Sequence, residues 1–188
     1  MLLDQKIVGL AEALEKAGIP YAYGGANALA FYAVPRATLD IDINIFLPVT
    51  EAESVLQLLG SLGASVDIPD LLARATDAEQ IRVLWETTPV DLFFSYDPLH
   101  ESAMNRRRLV AFAGVKVFVL TAEDLMIFKA TFNRSKDWRD ISEIIFATDE
   151  GLDFDYVRRW VKKIDDETGN RVKQLEGLIA SGGRDLAP

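Results

Sequence analysis

Two acidic residues stand two positions apart in the segment RATLDIDINIFL, which runs from Arg36 to Leu47. Asp40 and Asp42 alternate with isoleucines. Because successive side chains of a β-strand point to opposite faces, both carboxylates are expected on one face. Two carboxylates about 4 Å apart repel by roughly 4 kcal/mol at an effective dielectric constant near 20. Folding would not retain such a pair without a cation or a proton between the two groups. The spacing therefore points to a metal site.

A third carboxylate, Asp91, lies inside the apolar run PVDLFF, which also has the character of a strand. If this strand is the neighbour of the first, Asp40, Asp42 and Asp91 converge. Oxygen-only ligands suit a hard divalent ion, Mg²⁺ or Mn²⁺, held by one or two carboxylates together with substrate phosphates. The chain contains no cysteine, which excludes a thiolate metal site and a disulfide framework.

A glycine pair, Gly24-Gly25, follows the short apolar run YAY and precedes ANALAFYAV, which favours a short helix. A glycine turn at a helix N-terminus offers backbone N–H donors and a positive dipole end to phosphate oxygens. The pair lacks the GKS or GKT of a P-loop and the third glycine of a dinucleotide fingerprint. A phosphate cradle beside a carboxylate-held metal is nevertheless the equipment for phosphoryl or nucleotidyl transfer.

The elements that must position these residues change in character near residue 120. Apolar periodicity predicts an α/β part at 1–120, followed by a C-terminal helical segment at 121–188 that packs on it. Thr50 with Glu53 is predicted to form a capping box, and Thr121 is predicted to open a helix. Strands are predicted at YAY, 39–47, IRVLWE with PVDLFFS as a hairpin-like pair, and RLVAFAGVKVFVL as two strands around Gly114. Helices are predicted at 3–17, 26–34, 50–59, from Thr121, and at 135–147, 153–166 and 169–181.

The whole-chain composition narrows the class of protein. The chain has 188 residues, of which 49% are hydrophobic and 26% charged, as expected for one globular domain or one with a smaller appendage. It shows no apolar run of the ~18 residues that a membrane span needs and no signal-peptide pattern. We therefore expect a cytoplasmic protein without a membrane partner. The net charge of −9 argues against a general grip on nucleic acid, although a tRNA end could still enter a local basic mouth at Arg106–Arg108.

The order of these motifs resembles a known family. Gly24-Gly25, then Arg36-x-Thr38-x-Asp40-x-Asp42, then Asp91, is similar to the minimal nucleotidyltransferases of the DNA polymerase β superfamily. The stand-alone bacterial and archaeal branch, which includes abortive-infection (AbiE-type) toxin enzymes, is the most similar. LTAEDLMIFKATFNRSKDWRDISEII resembles the helical segment of that branch, so the likeness covers residues 20–147. It implies a nucleotidyltransferase fold, with a mixed central sheet flanked by helices and a C-terminal helical segment.

The resemblance implies a role for each matching residue near the glycine turn. Gly24 and Gly25 would hold the triphosphate of an NTP, and Asp40 and Asp42 would bind Mg²⁺ or Mn²⁺. Asp91 would either complete the metal site or activate the acceptor hydroxyl. Apart from the family resemblance, Asp40-x-Asp42 could also lie on the solvent-exposed face of an edge strand, where charged residues block pairing with a further strand.

The resemblance also implies roles in the helical segment. Lys129 would contact a phosphate and belongs to the implied catalytic set. Asp137 or Asp140 would orient Lys129 or complete the nucleotide pocket, and Arg36 would support the carboxylates or contact phosphate. Charged residues at three- and four-residue spacing could instead be ordinary pairs on a helix surface.

One position departs from the family. Many members have serine after the first glycine, and its hydroxyl helps to hold phosphate; this chain has Gly25 there. Asn27 is the candidate to replace that contact. The polar face of the 39–47 strand also carries Asn44, to which sequence reasoning gives no role.

The function implied by the resemblance is transfer of a nucleoside monophosphate from an NTP to an acceptor hydroxyl. RNA, a tRNA end, protein and small molecules all remain open as acceptors. The alternative is a weakly active or inactive nucleotidyltransferase-like interaction module, such as one half of a toxin–antitoxin pair. The partners to expect, beside the NTP and the acceptor, are a cognate antitoxin or further copies of the chain in a homo-oligomer. Retention of all three aspartates speaks against the alternative, and Gly25 speaks for it.

Overall fold

The computed structural model describes residues 1–75, 79–148, 151–165 and 169–184. The chain divides into two compact units. The first contains Met1–Asn27 and Ala37–Leu120, and the second contains Ala28–Arg36 and the described residues from Thr121 onward. Within the described residues, every strand belongs to the first unit.

The first unit is built on a mixed sheet, which has seven strands in the described part of the chain. The strands are β1 Tyr21–Tyr23, β2 Ile41–Ile45, β3 Ala64–Ser65, β4 Gln80–Trp85, β5 Thr88–Phe94, β6 Arg108–Phe112 and β7 Val115–Val119. Their order in the sheet is β3-β4-β5-β2-β1-β7-β6. The central pairs β2·β5 and β1·β7 are parallel, while β1·β2, β3·β4, β4·β5 and β6·β7 are antiparallel. The β4–β5 and β6–β7 strand pairs that the sequence predicts are thus present.

The acidic strand β2 lies at the centre of the sheet. Parallel pairing of β2 with β5 sets Asp42 beside Asp91 and Ile43 beside Leu92. The three isoleucines of β2 are fully buried, so the alternation of core and polar faces is confirmed. The strand is shorter than the predicted 39–47, and Leu39 is 83% exposed.

Helices flank the sheet of the first unit. They are α1 Leu3–Lys16, α2 Gly25–Leu29 (whose last two residues belong to the second unit), α3 Ala52–Ser61, α4 Ile68–Ala75 and α5 Pro98–Arg106. The α1 helix contacts β7 and α3, and α4 contacts β4. The α4 and α5 helices and strand β3 were not predicted from the sequence.

Two predicted helix boundaries are wrong. The helix predicted at 26–34 ends at Leu29. It is followed by a turn in which the backbone N–H groups of Tyr32 and Ala33 both donate to the Leu29 carbonyl. Thr50 does not cap α3. Val49–Glu51 form a 3₁₀ turn before the helix, so Thr50 already lies in a helical turn. Glu51 is the cap residue of α3 and makes no side-chain bond.

A buried lysine ties α1 to the β4–β5 hairpin. Lys6 is 1% exposed. Its Nζ lies 2.6 Å from the carbonyl oxygen of Trp85, 3.0 Å from Oγ1 of Thr88 and 3.0 Å from Oε2 of Glu86. Because a charge away from water is costly unless it is paired and hydrogen-bonded, this contact set explains how an apolar helix face tolerates lysine.

The second unit is helical. Thr121 caps its first helix through a bond from the Asp124 amide (3.1 Å), as predicted. The phenol of Tyr156, on the third helix of this unit, donates to Asp124 Oδ1 on the first helix at 2.6 Å. The helices are α6 Ala122–Phe132, α7 Ser135–Ala147, α8 Phe154–Ile164 and α9 Asn170–Ser181. The predicted end of the third helix at residue 166, and residues 185–188 of the predicted C-terminal segment, lie outside the described residues.

Among the described residues, no helix combines the length and the apolar character needed to cross a membrane.

Lys6→Met is expected to lower the free energy of unfolding by about 1–3 kcal/mol, because methionine keeps the apolar stem but leaves buried oxygen acceptors without a donor. Urea denaturation at neutral pH measures the loss. The matched control is Lys16→Met, at an exposed lysine in the last turn of the same helix, which should change stability by about 0.5 kcal/mol or less. Equal losses in the two variants would show that the buried contacts of Lys6 do not stabilise the fold.

Candidate active site

Three carboxylates converge on one face of the sheet in the first unit. Asp40, Asp42 and Asp91 each offer an oxygen, and these atoms all lie within 4.8 Å of one another. Asp42 and Asp91 are register partners on β2 and β5, and Asp40 stands immediately before β2. Asp91 is 3% exposed, while the other two are half-buried. The convergence expected from the sequence is therefore present.

Arg82, which was not predicted from the sequence, binds the most buried of the three carboxylates. Arg82 on β4 is the antiparallel register partner of Asp91. Its Nε donates to Asp91 Oδ1 at 2.7 Å and its Nη2 to Oδ2 at 2.6 Å, and Gln80 Nε2 adds a bond to Oδ1 at 3.3 Å. The hydrogen bonds to Asp91 raise the pKa of Arg82, and the charges of Asp91, Asp40 and Asp42 raise it further.

The side chain of Asp40 and the backbone of Asp42 each make a further hydrogen bond. The Thr38 hydroxyl donates to Asp40 Oδ1, which gives the threonine of the Arg-x-Thr-x-Asp pattern a local role. The backbone N–H of Asp42 donates to Oδ1 of Asn27 at 3.1 Å. Asn27 therefore links α2 to β2, so its amide oxygen is already used.

The glycine turn lies directly against the polar face of β2. The Gly24 N–H donates to the Asp42 carbonyl at 2.9 Å, and a Cβ at Gly24 would stand 2.8 Å from Nδ2 of Asn44. Asn44, which is 5% exposed, therefore fills the space behind the turn. A side chain at position 24 would force the Asn44 amide to shift.

Gly25 is required more strictly. Its φ is +49°, a left-handed conformation that side chains disfavour, and a Cβ there would stand 1.8 Å from Oδ2 of Asp42. A serine at position 25 would collide with the carboxylate in this arrangement. The departure from the family pattern thus has a local steric cause.

The remaining predicted residues form a cluster in the second unit. Lys129 Nζ lies 2.5 Å from Oδ2 of Asp140, and Arg36 Nη2 lies 3.2 Å from the same atom. Of the two acids proposed to orient Lys129, Asp140 makes this contact. Asp137 instead binds Arg134, accepting its backbone N–H at 3.2 Å and its Nε at 2.6 Å, as an acid in the first turn of α7 does.

The donor set of the first unit suits a hard divalent ion. It consists of carboxylate oxygens, the ligands that Mg²⁺ and Mn²⁺ prefer.

The basic run Arg106–Arg108, predicted as a local nucleic-acid site, makes a contact within the protein. The Arg107 guanidinium lies 4.5 Å from the centroid of the Phe118 ring. Arg106 ends α5 and Arg108 opens β6.

Gly25→Ala is expected to lower the free energy of unfolding by about 1–2 kcal/mol for left-handed backbone, plus a further ~1–3 kcal/mol for the collision with Asp42. The matched control is Gly18→Ala. Gly18 also has a left-handed φ, of +69°, but nothing lies within 4 Å of its added Cβ. The control should therefore show the backbone penalty alone. Equal losses, measured by urea denaturation, would contradict the close approach of Gly25 to Asp42.

The similarity of this chain to known proteins is found in their structures and not in their sequences. No protein family model and no curated protein matches the sequence. The antibiotic-resistance factor ANT(2'')-Ia is 14% identical with a TM-score of 0.53, over 95% of this chain and 89% of that one. An antigenic nucleotidyltransferase-like protein from Paracoccidioides brasiliensis is 17% identical with a TM-score of 0.56, over 95% and 92%.

A third similar structure is the lincosamide antibiotic adenylyltransferase LnuA, bound to lincomycin. It is 13% identical with a TM-score of 0.56, over 78% of this chain and 99% of that one. At such identities the likeness speaks for the fold, and the closer relationship to abortive-infection enzymes stays a prediction. The mixed sheet flanked by helices is a nucleotidyltransferase fold, as the motif order predicted.

Proposed function

We propose that this protein is a metal-dependent nucleotidyltransferase that moves a nucleoside monophosphate from an NTP to an acceptor hydroxyl. The observation that carries the proposal is the convergence of Asp40, Asp42 and Asp91 within 4.8 Å beside the glycine turn. The shared fold adds support, because ANT(2'')-Ia has been seen with adenylyl-2''-tobramycin and LnuA is an adenylyltransferase.

In this proposal Asp40, Asp42 and Asp91 hold Mg²⁺ or Mn²⁺. When bound, the metal would neutralise phosphate charge and favour the ionised form of the attacking hydroxyl. The rigid sheet keeps the two strand carboxylates in register, so little of the binding free energy is spent on arranging them.

The phosphate contacts fall to backbone and amide groups near the turn. The Gly24 N–H already donates to the Asp42 carbonyl, so the proposed phosphate donors are the Gly25 N–H and the side-chain amide of Asn27. The oxygen of that amide accepts from Asp42, which fixes the side chain and leaves its nitrogen as the donor.

The reaction requires one bond to form and one to break. An oxygen of the acceptor hydroxyl attacks the α-phosphorus, the bond to the β-phosphate breaks, and pyrophosphate leaves with the bonding electrons. The hydroxyl proton passes to a carboxylate, for which Asp91 is the candidate. Positioning and charge stabilisation supply most of the rate enhancement in such transfers.

The family resemblance assigns Lys129 to a phosphate of the nucleotide, together with Arg36. Two cations against one carboxylate, Asp140, leave this cluster with a net positive charge. Such a charge suits a phosphate ligand. Asp140 compensates the buried ammonium of Lys129, which is 5% exposed. Asp137, through its hydrogen bonds with Arg134, would position the start of α7.

A small molecule is the acceptor that we favour, ahead of tRNA, other RNA or protein. A net charge of −9 repels polyanions and favours neutral or cationic partners. The antibiotic acceptors of ANT(2'')-Ia and LnuA are of that size class. The interaction-module alternative loses its main support, because a steric contact with Asp42 accounts for Gly25.

We expect the protein to transfer the α-phosphate label of an NTP to a low-molecular-weight species when incubated with Mg²⁺ and a cell extract. Chromatography of the labelled products measures the transfer and identifies the acceptor. Asp42→Asn should lower the rate by at least about 100-fold, since changing even the partners of metal ligands costs 10- to 100-fold.

The matched control for this experiment is Asp70→Asn, which removes an acid that pairs with Arg74 on α4 of the same unit. It should transfer label at the wild-type rate. Transfer that persists in Asp42→Asn or without divalent metal would contradict the proposal, as would the absence of transfer by a folded wild-type protein with every NTP.

A further inference from the structure

The Arg82–Asp91 pair sets a conflict inside the proposed metal site. Both carboxylate oxygens of Asp91 accept from Arg82, at 2.7 and 2.6 Å. Charge-assisted bidentate pairs of this kind are among the strongest protein hydrogen bonds. A shared metal would need an oxygen of the same carboxylate and would bring two positive charges close to the guanidinium. Because like charges repel, the arginine and the metal compete for Asp91.

The two partners differ in their freedom to move. Asp91 lies on β5, which is paired with β2 on one side and β4 on the other, and its side chain is 4% exposed. The side chain of Arg82 is 61% exposed and reaches the carboxylate through a flexible stem. If the pair opens, the guanidinium is therefore the group that leaves.

When no metal is bound, the positive charge of Arg82 compensates part of the negative charge of the three carboxylates. The three carboxylates lie within 4.8 Å of one another, and their mutual repulsion favours a nearby cation. Arg82 supplies one positive charge, held against Asp91 by hydrogen bonds of 2.7 and 2.6 Å. A divalent ion supplies two charges and removes the need for the guanidinium at this position.

We propose that Arg82 is an exchangeable counter-ion, which holds the carboxylate of Asp91 while no metal is bound and releases it when a divalent ion binds. This inference rests on the proposed function and assigns Arg82 as a positioning residue. It keeps the carboxylate of Asp91 oriented in the resting protein. It also weakens metal binding, because the ion must first break the bidentate pair.

The test measures binding of Mn²⁺ alone, by electron paramagnetic resonance of the free ion. Arg82→Gln removes the competitor and should raise Mn²⁺ affinity by about fivefold, the upper range for an ion pair whose cation is solvent-exposed. Arg82→Lys keeps the charge but cannot form the bidentate pair, so it should raise the affinity by a smaller factor. A supporting structural role would lower the affinity in both variants instead.

The matched control is Arg74→Gln. It removes the same charge from an exposed ion pair of the first unit, that with Asp70, and should leave Mn²⁺ affinity unchanged. In the wild-type protein, the Nε–Hε resonance of Arg82, assigned by its loss in Arg82→Lys, should shift as Mg²⁺ is added. It should not shift in Asp42→Asn.

An Arg82 resonance that stays in place at Mg²⁺ saturation would overturn the exchange, as would unchanged or lower Mn²⁺ affinity in Arg82→Gln. In either case the proposed function survives, because the metal still binds. Absence of any metal binding to the wild-type protein, with and without ATP, contradicts the proposed function and the exchange together. The two failures are therefore distinguishable.

Discussion

Electrostatic repulsion within the carboxylate cluster is the constraint on which the rest of the site depends. Asp40, Asp42 and Asp91 approach within 4.8 Å, and the hydrogen-bonded register of β2 with β5 holds two of them side by side. The fully buried isoleucines of β2 anchor that strand in the core. The carboxylates therefore cannot relieve their repulsion by moving apart, and a cation must compensate it.

The surroundings of the cluster are arranged around this fixed geometry. Gly25 leaves room for the Asp42 carboxylate, and Asn44 packs behind Gly24. Asn27 joins the helix that follows the turn to the backbone of Asp42. The absence of a side chain at Gly25 therefore leaves the space that the Asp42 carboxylate occupies.

Much of the site could be predicted, because alternation in a strand assigns faces without knowledge of the fold. The proximity of Asp91 to Asp42 followed once the two runs were read as neighbouring strands. Arg82 could not be predicted in the same way. Its meeting with Asp91 depends on the register of the β4–β5 hairpin, and a shift of one residue would have sent it to the other face. Thr50 failed as a cap because an extra turn, Val49–Glu51, precedes α3.

We propose that a divalent ion bound with the nucleotide compensates the three carboxylates. Anomalous scattering from a crystal grown with Mn²⁺ and a non-hydrolysable ATP analogue would locate that ion. We expect a Mn²⁺ peak coordinated by Asp40, Asp42 and Asp91 and by phosphate oxygens. A bound nucleotide with no metal at the three carboxylates, or with the metal held elsewhere, would contradict it.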